Sequence, residues 1–269
     1  VLLITIAFIY LYPVLYMFSR SLMSSKDLLD SSAKWIPSAI TSQNYTDAIA
    51  TLDYWNSLWK NIQIAVLPTI AQGFICSMVG YGFARYKFPG KTLWMGILIL
   101  SFLLPSQTID MPNYLLFQQL KMMDGSLKPF LLLAVLGQGF KSVLCILIFY
   151  NFHRQVPQSL IEAAEIDGAS QFSVLVQIIL PLSIKMLSTV FLLQFVHFWN
   201  DYQTAYIYMP THPTLAYAVW WLTSSNAVGG GDMTVRVAAS MSLALPILVV
   251  FVFLKDKLMG NVSMGGLKQ

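Results

Sequence analysis

The sequence predicts an all-α polytopic membrane protein with about six transmembrane helices, and three observations support this. Hydrophobic residues make up 57% of the chain and charged residues only 10%, against about 25% charged in soluble domains. Several apolar runs reach the ~20 helical residues that a bilayer core requires. Polar residues gather in connecting stretches, among them 153–181, which separates two long apolar segments.

Taken in order, the first span runs from Val1 to about Phe18. It is already apolar at its first residue and lacks Met, so an N-terminal piece is expected to precede it. It carries no basic leader or small-residue cleavage pattern of a signal peptide. The second span covers Asn61 to Ala84, the third Leu93 to Leu116 with Pro105 inside, and the fourth Pro129 to Phe152. The fifth covers Leu182 to Met209, and the sixth Thr234 to about Leu254 with Pro246 inside. Interior prolines free backbone carbonyls, which neighbouring helices or water satisfy. Residues 1–269 read as one transmembrane domain, with 153–181 as a loop and 255–269 as a tail. Cys76 and Cys145 both fall inside apolar runs and read as small buried hydrophobes rather than a disulfide or metal pair.

The polar stretch between spans four and five has its own local logic. Ser159 and Glu162 have capping-box spacing, so a helix is expected to start near Gln158 or Ser159. Pro157 stands just before it, where proline is tolerated. Gly168 suits a left-handed stop, which ends the helix at about Asp167. A second helix is expected to start near Ser170, and Pro181 to bend the chain into the next span. The result is a short helix-turn-helix. Ala163, Ala164 and Gly168 are small enough to let another backbone approach, while Glu162 and Asp167 offer charges for docking.

Glu162-Ala163-Ala164, then Gly168 after three residues, Ile178 after nine more, and Leu180-Pro181 follow the spacing of a known signature. It resembles the EAA motif of bacterial ABC importer permeases, the inner membrane components of binding-protein-dependent transport systems. The six-span layout is similar to the carbohydrate, maltose-type branch, and closest to its second, MalG-like permease type. Trp199-Asn200-Asp201-Tyr202 resembles the WN-x-[FY] element of sugar permeases in that branch. The tail Met264-Gly265-Gly266-Leu267-Lys268 resembles its Gly-rich, Lys-ending tail, although Gln269 stands where many members end in Gly.

The resemblance implies a permease subunit of an ATP-driven saccharide importer. It implies an ATPase-coupling set of Glu162, Ala163, Ala164, Asp167, Gly168, Leu180 and Pro181, and a tail contact through Gly265, Gly266 and Lys268. The implied partners are a second permease subunit in a heterodimer, two ATP-binding subunits and an external solute-binding protein. ATP and Mg would be held by the ATPase, with no cofactor in this chain. The coupling loop and C-terminus would face the cytoplasm of a bacterial inner membrane. Charge alone orients the chain weakly. Arg85, Lys87 and Lys91 crowd one loop and favour the same side as Arg154, Lys255, Lys257 and Lys268. Arg20, Lys26, Lys34, Lys60, Lys121 and Lys128 stand on the other. Trp35, Trp55, Trp59, Trp220 and Trp221 are then interfacial anchors on the outer side.

Ionisable groups inside spans are expensive and usually face a cavity or a partner. Lys141 falls near the middle of span four, Asp201 well inside span five, and Asp110 in the outer part of span three. With Trp199, Asn200 and Tyr202 they are substrate-path candidates: aromatic rings to stack on sugar faces, polar groups for hydroxyls. Lys141 also suits an acidic saccharide such as an alginate fragment. The bland alternative is a buried Lys–Asp pair or a snorkelling side chain at a subunit seam.

Other classes fare worse. Gly90-Lys91-Thr92 imitates the end of a phosphate-binding loop, but Arg85 stands where the motif needs glycine, and the triplet opens a span. No HExxH, CxxC or GxSxG is present, and His153, His197 and His212 are too scattered for a metal site. The chain is therefore not expected to be an enzyme. A net charge of +4 does not point to nucleic acid. The main competitor is an ion-gradient-driven secondary transporter, a class often marked by internal repeats around a midplane site; no convincing repeat is visible here.

Overall fold

The computed structural model describes residues 2–30, 35–105, 107–138, 141–211, 213–224 and 232–265. Among these, all regular structure is helical. The chain forms two compact units, one of residues 1–62 and 200–250, the other of 63–199 and 251–269.

In the first unit, α1 (Leu2–Ser21) is long and apolar enough to cross a membrane. None of its apolar window is buried against this chain, so that surface is left for lipid or a partner. α2 (Ser25–Leu29) starts with a true capping box, in which Ser24 and Asp27 satisfy each other's backbone N–H groups. α3 (Gln43–Thr51) is pinned to the end of α1 by Asn44, whose amide donates to the carbonyls of Ser21 and Met23, both at 2.8 Å. α4 (Tyr54–Arg85) begins in this unit and continues into the other.

The second unit contains the rest of α4, then α5 (Lys91–Phe102), α6 (Gln107–Gln119), α7 (Lys128–Val135) and α8 (Ser142–Gln155). α4 and α8 cross closely at Gly80. A Cβ there would lie 2.8 Å from Phe149 Cβ and 2.9 Å from the Tyr150 nitrogen, so only glycine fits. Cys76, Cys145, Ile146, Phe149 and Val190 form the core beside this crossing. Both cysteines are free thiols, and Cys145 accepts from the Gln194 amide at 3.0 Å.

The connection to the next long helix comprises α9 (Gln158–Ile166), α10 (Gln171–Val174), a π-helical turn (Leu175–Ile179) and α11 (Leu180–Leu182). α12 (Ile184–Asn200) follows at 76° to the segment Gln171–Leu182. Back in the first unit, α13 (Tyr202–Tyr208) and α14 (Leu215–Ser224) precede α15 (Met233–Gly265). Leu215, Val219 and Leu222 of α14 pack with Val235, Ala238 and Ala239 of α15 and with Ala48 and Leu52.

The expected spans one, two and six appear as α1, α4 and α15, which among the described residues are the three uninterrupted helices long and apolar enough to cross a membrane; the bent pair ending in α12 would make a fourth. Three expected spans are not continuous. Span three breaks between Phe102 and Gln107, around Pro105, which has no N–H to continue a helix and disfavours helical backbone at the residue before it. Span four breaks after Val135. Gly137 is left-handed (φ 69°), and the Gln138 N–H donates to the Leu133 carbonyl, closing a Schellman stop. The expected span five also ends early: Asp201 interrupts it and starts α13.

Candidate functional site: the helix-turn-helix of residues 157–183

α9 begins where proline and arginine together fix the backbone. Pro157 is its N-cap, with φ −59° and ψ 132°. The Arg85 guanidinium, at the end of α4, donates to the Val156 carbonyl and to Gln158 Oε1, the latter at 3.1 Å. The expected capping box of Ser159 and Glu162 is not formed. Ser159 lies inside the helix rather than at its cap, and no side chain caps this end. The start near Gln158 nevertheless stands.

The end of α9 follows the sequence closely. Gly168 has φ 85°; its N–H donates to the Glu165 carbonyl at 3.0 Å, and the Ala169 N–H donates to the Ala164 carbonyl at 2.9 Å. This pair of bonds is a Schellman motif, and it places the only left-handed residue of the turn on the glycine. A Cβ on Gly168 would meet nothing within 4 Å, so its role is conformational within this chain. Ser170 caps the next helix, its hydroxyl accepting from the Ser173 N–H at 3.2 Å.

One face of this element is anchored and the other is open. Ile161 is buried with Tyr81, Val156, Val174, Leu175 and Ile179, and half-buried Ala164 and Ala169 pack against them. Tyr86 donates to Gln171, and the Gln171 amide donates to Glu165, which ties α9 to α10 and to the end of α4. Glu162, Ala163, Asp167 and Gly168 all face outward. So do Leu160, Phe172 and above all Ile166, which is 85% exposed. An apolar side chain that exposed beside two small residues and two carboxylates is a surface suited to a protein partner. Sequence reasoning took Glu162, Ala163, Ala164, Asp167 and Gly168 but passed over Leu160, Ile166 and Phe172. Their off-face spacing from Ile161 was the available signal.

Leu180 and Pro181 sit in α11, immediately before the bend. The Ser183 hydroxyl at the bend donates to the Ile179 carbonyl at 2.6 Å. His153, fully buried in the last turn of α8, lies 3.1 Å from that hydroxyl through Nε2. With the Ser183 hydrogen committed to Ile179, the network assigns the His153 proton to Nε2.

The substrate-path candidates fall in both units, Asp110, Lys141 and Trp199 in the second and Asn200, Asp201 and Tyr202 in the first. Lys141 is exposed with φ 51° at the N-cap of α8, so it sits at the break in expected span four rather than inside a continuous helix. Trp199 is 1% exposed and its ring lies 5.4 Å from that of Phe195 between centroids. Asp201 caps α13 by accepting from the Thr204 N–H at 3.0 Å, a sufficient structural reason for a carboxylate there. Tyr202 stacks on Trp220 at 5.0 Å. Asn200 is exposed, and Asp110 is half-buried in the first turn of α6. Gly265 is the last residue of α15, whereas Gly266 and Lys268 lie outside the described residues.

Comparison with known proteins matches residues 73–259 to the family described as binding-protein-dependent transport system inner membrane component. The osmoprotective compounds uptake permease protein GgtD of Synechocystis sp. is 30% identical, over 97% of this chain and 90% of that protein. The trehalose transport system permease protein SugB of Mycobacterium tuberculosis is 27% identical, over 96% and 92%. Among solved structures, a bacterial ABC transporter involved in the import of the acidic polysaccharide alginate has a similar fold. Its TM-score is 0.79 at 22% identity, covering 95% of this chain and 93% of that one.

Proposed function

The chain belongs to the binding-protein-dependent transport system inner membrane component family, and on that premise we propose that it is the transmembrane permease subunit of an ATP-driven saccharide importer. It is a membrane protein and a transport subunit rather than an enzyme; ATP and Mg would be bound and used by a separate ATPase pair. Trehalose, arabinooligosaccharide and diacetylchitobiose permeases among its relatives support the saccharide class. The family disfavours the ion-gradient alternative.

The observation that carries the coupling role is α9, which is anchored by Ile161 and Arg85 and ended by Gly168, with Glu162, Ala163, Asp167 and Ile166 facing out. An ATPase surface would receive this face. Closing the ATPase pair would then move α9 as a rigid body. That motion would reach α12 through α11 and the bend at Ser183, biasing the bundle between inward-open and outward-open states. Such coupling requires the two states to differ in their contacts at both ends. A second permease subunit would complete the pathway, and an external solute-binding protein would deliver the substrate. The coupling loop and the C-terminal tail, including Gly265, Gly266 and Lys268, would lie on the cytoplasmic side of a bacterial inner membrane. All six expected spans would cross it, spans three, four and five as broken ones.

The saccharide class extends to acidic chains. Exposed Lys141 at the span-four break, and the alginate importer with a similar fold, support that extension. Lys141→Met is expected to weaken uptake of an acidic oligosaccharide selectively. The reading as a whole is tested with the complete complex in sealed vesicles. Uptake is expected to require ATP and to survive collapse of the ion gradients; uptake that follows an ion gradient without ATP would refute it.

A further inference from the structure

Arg236 lies on the second turn of α15, inside expected span six, yet it was absent from the charged residues singled out in the spans. It lines a cavity of about 560 Å³ in the first unit together with Met17, Thr223, Asp232, Met233, Val237 and Ser240. That volume falls within the usual range for small-molecule sites, about 300–1,000 Å³. The composition of the wall is informative. Met17, Met233 and Val237 are apolar, Asp232 accepts hydrogen bonds, Arg236 donates them, and Thr223 and Ser240 carry hydroxyls.

We propose that this cavity is a pyranose-binding subsite of the translocation pathway, in which Asp232 and Arg236 hold ring hydroxyls and the methionines and Val237 face the C–H side of the ring. The proposal rests on the saccharide-importer reading and deepens it. Carboxylate and guanidinium cancel in net charge, so the site offers no field that selects an anion. A carboxylate ligand drawn to Arg236 would also face Asp232. Hydroxyls suit both groups at once, because each both donates and accepts. Asp232 already accepts from the Ser25 hydroxyl through one oxygen, which orients it, and an ionised carboxylate has about four acceptor positions. The Thr223 and Ser240 hydroxyl hydrogens go to the carbonyls of Val219 and Arg236, at 2.8 and 3.0 Å, leaving both oxygens as acceptors toward the cavity. The subsite therefore reads the sugar ring and not its charge, and any selection of acidic chains belongs elsewhere, with Lys141 as the candidate.

The test uses the complete importer in proteoliposomes, with a neutral gluco-oligosaccharide and a uronate oligosaccharide of equal length as probes. Whichever probe the wild type transports is used to measure apparent KM and maximal rate. Asp232→Asn and Arg236→Gln are each expected to raise KM about tenfold, by a similar factor for both probes if both are transported. Ser25→Ala, which removes only the orienting bond, separates ligand contact from folding and is expected to change KM less than Asp232→Asn. Unchanged KM in both cavity variants overturns the subsite, as does a Ser25→Ala effect equal to that of Asp232→Asn or, where both probes are transported, an effect confined to the uronate. If the wild type transports no saccharide at all, the importer reading fails as well, so the two failures are distinct.

Discussion

His153 Nε2 lies 3.1 Å from Ser183 Oγ, joining the last turn of α8, which leads into the α9–α11 element, to the 76° bend by which that element leaves for α12. The two ends of the candidate coupling element are thus clamped to each other. His153 is also enclosed by aromatic rings, stacked on Phe149 at 5.8 Å and edge-on to Tyr81 at 5.6 Å. Removing one partner of a buried hydrogen bond costs about 1–3 kcal/mol. Ser183→Ala is therefore expected to lower the thermal unfolding midpoint of the purified permease and to reduce uptake per ATP hydrolysed. His153→Ala, which also opens space among the rings, is expected to do both more severely. Equal uptake-to-hydrolysis ratios in wild type and Ser183→Ala would show that the clamp carries no coupling.

Gly168 offers a cleaner test of the coupling face, since its surroundings are empty. Gly168→Ala loses only the left-handed preference, a cost of about 1 kcal/mol, and is expected to insert in the membrane and to transport at a reduced rate. Gly168→Leu adds bulk on the face offered to the ATPase and is expected to abolish coupled uptake while expression and insertion remain normal. Glu162→Lys is expected to act in the same way. Normal uptake in both Gly168→Leu and Glu162→Lys would remove the docking role.

The α4–α8 crossing makes a contrast between two glycines. At Gly80 an added Cβ would stand 2.8 Å from Phe149 Cβ and 2.9 Å from backbone, whereas at Gly82 it would meet nothing within 4 Å. Gly80→Ala is expected to cost about 1–3 kcal/mol through forced separation of the helices. Gly82→Ala is expected to be neutral or slightly stabilising, because alanine is the better helix former. Thermal unfolding of both variants in the same detergent measures the difference, and equal midpoints would contradict the close crossing.

Asp201 separates a structural from a transport role. As the N-cap of α13 it is worth about 1 kcal/mol, and asparagine caps nearly as well. Asp201→Asn is expected to retain stability and uptake, while Asp201→Ala loses stability. Loss of uptake in Asp201→Asn with unchanged stability would return the carboxylate to the substrate path.

What could be read from the sequence follows from how local the determinants are. The stop at Gly168, the cap at Ser170 and the bend at Pro181 are set by a residue and its immediate neighbours, so turn chemistry identified them. The unformed capping box of α9 shows the limit: Ser159 and Glu162 have the right spacing, but the helix starts at Gln158 with Pro157 as its cap, and the distant Arg85 donates to the Val156 carbonyl just before it. The break at Gly137 was also local and was overlooked because the flanking residues are uniformly apolar. The burial of Trp199 was not legible, since a helix apolar on most sides carries no period that reveals which face is covered. Arg236 was missed as a charge one turn inside a span; Asp232 lies just before its own helix, but Met17 and Thr223 line the cavity beside it from other elements.

The most direct measurement is purification of the tagged chain from its native membrane in mild detergent, with every co-purifying protein identified, for wild type and for Gly168→Leu. The wild type is expected to bring a P-loop ATPase and a second permease subunit, and Gly168→Leu to keep the second permease while losing the ATPase. Recovery of the wild-type chain alone or as a self-pair, or an ATPase retained equally by Gly168→Leu, would contradict the account of α9 as the element through which this permease is driven.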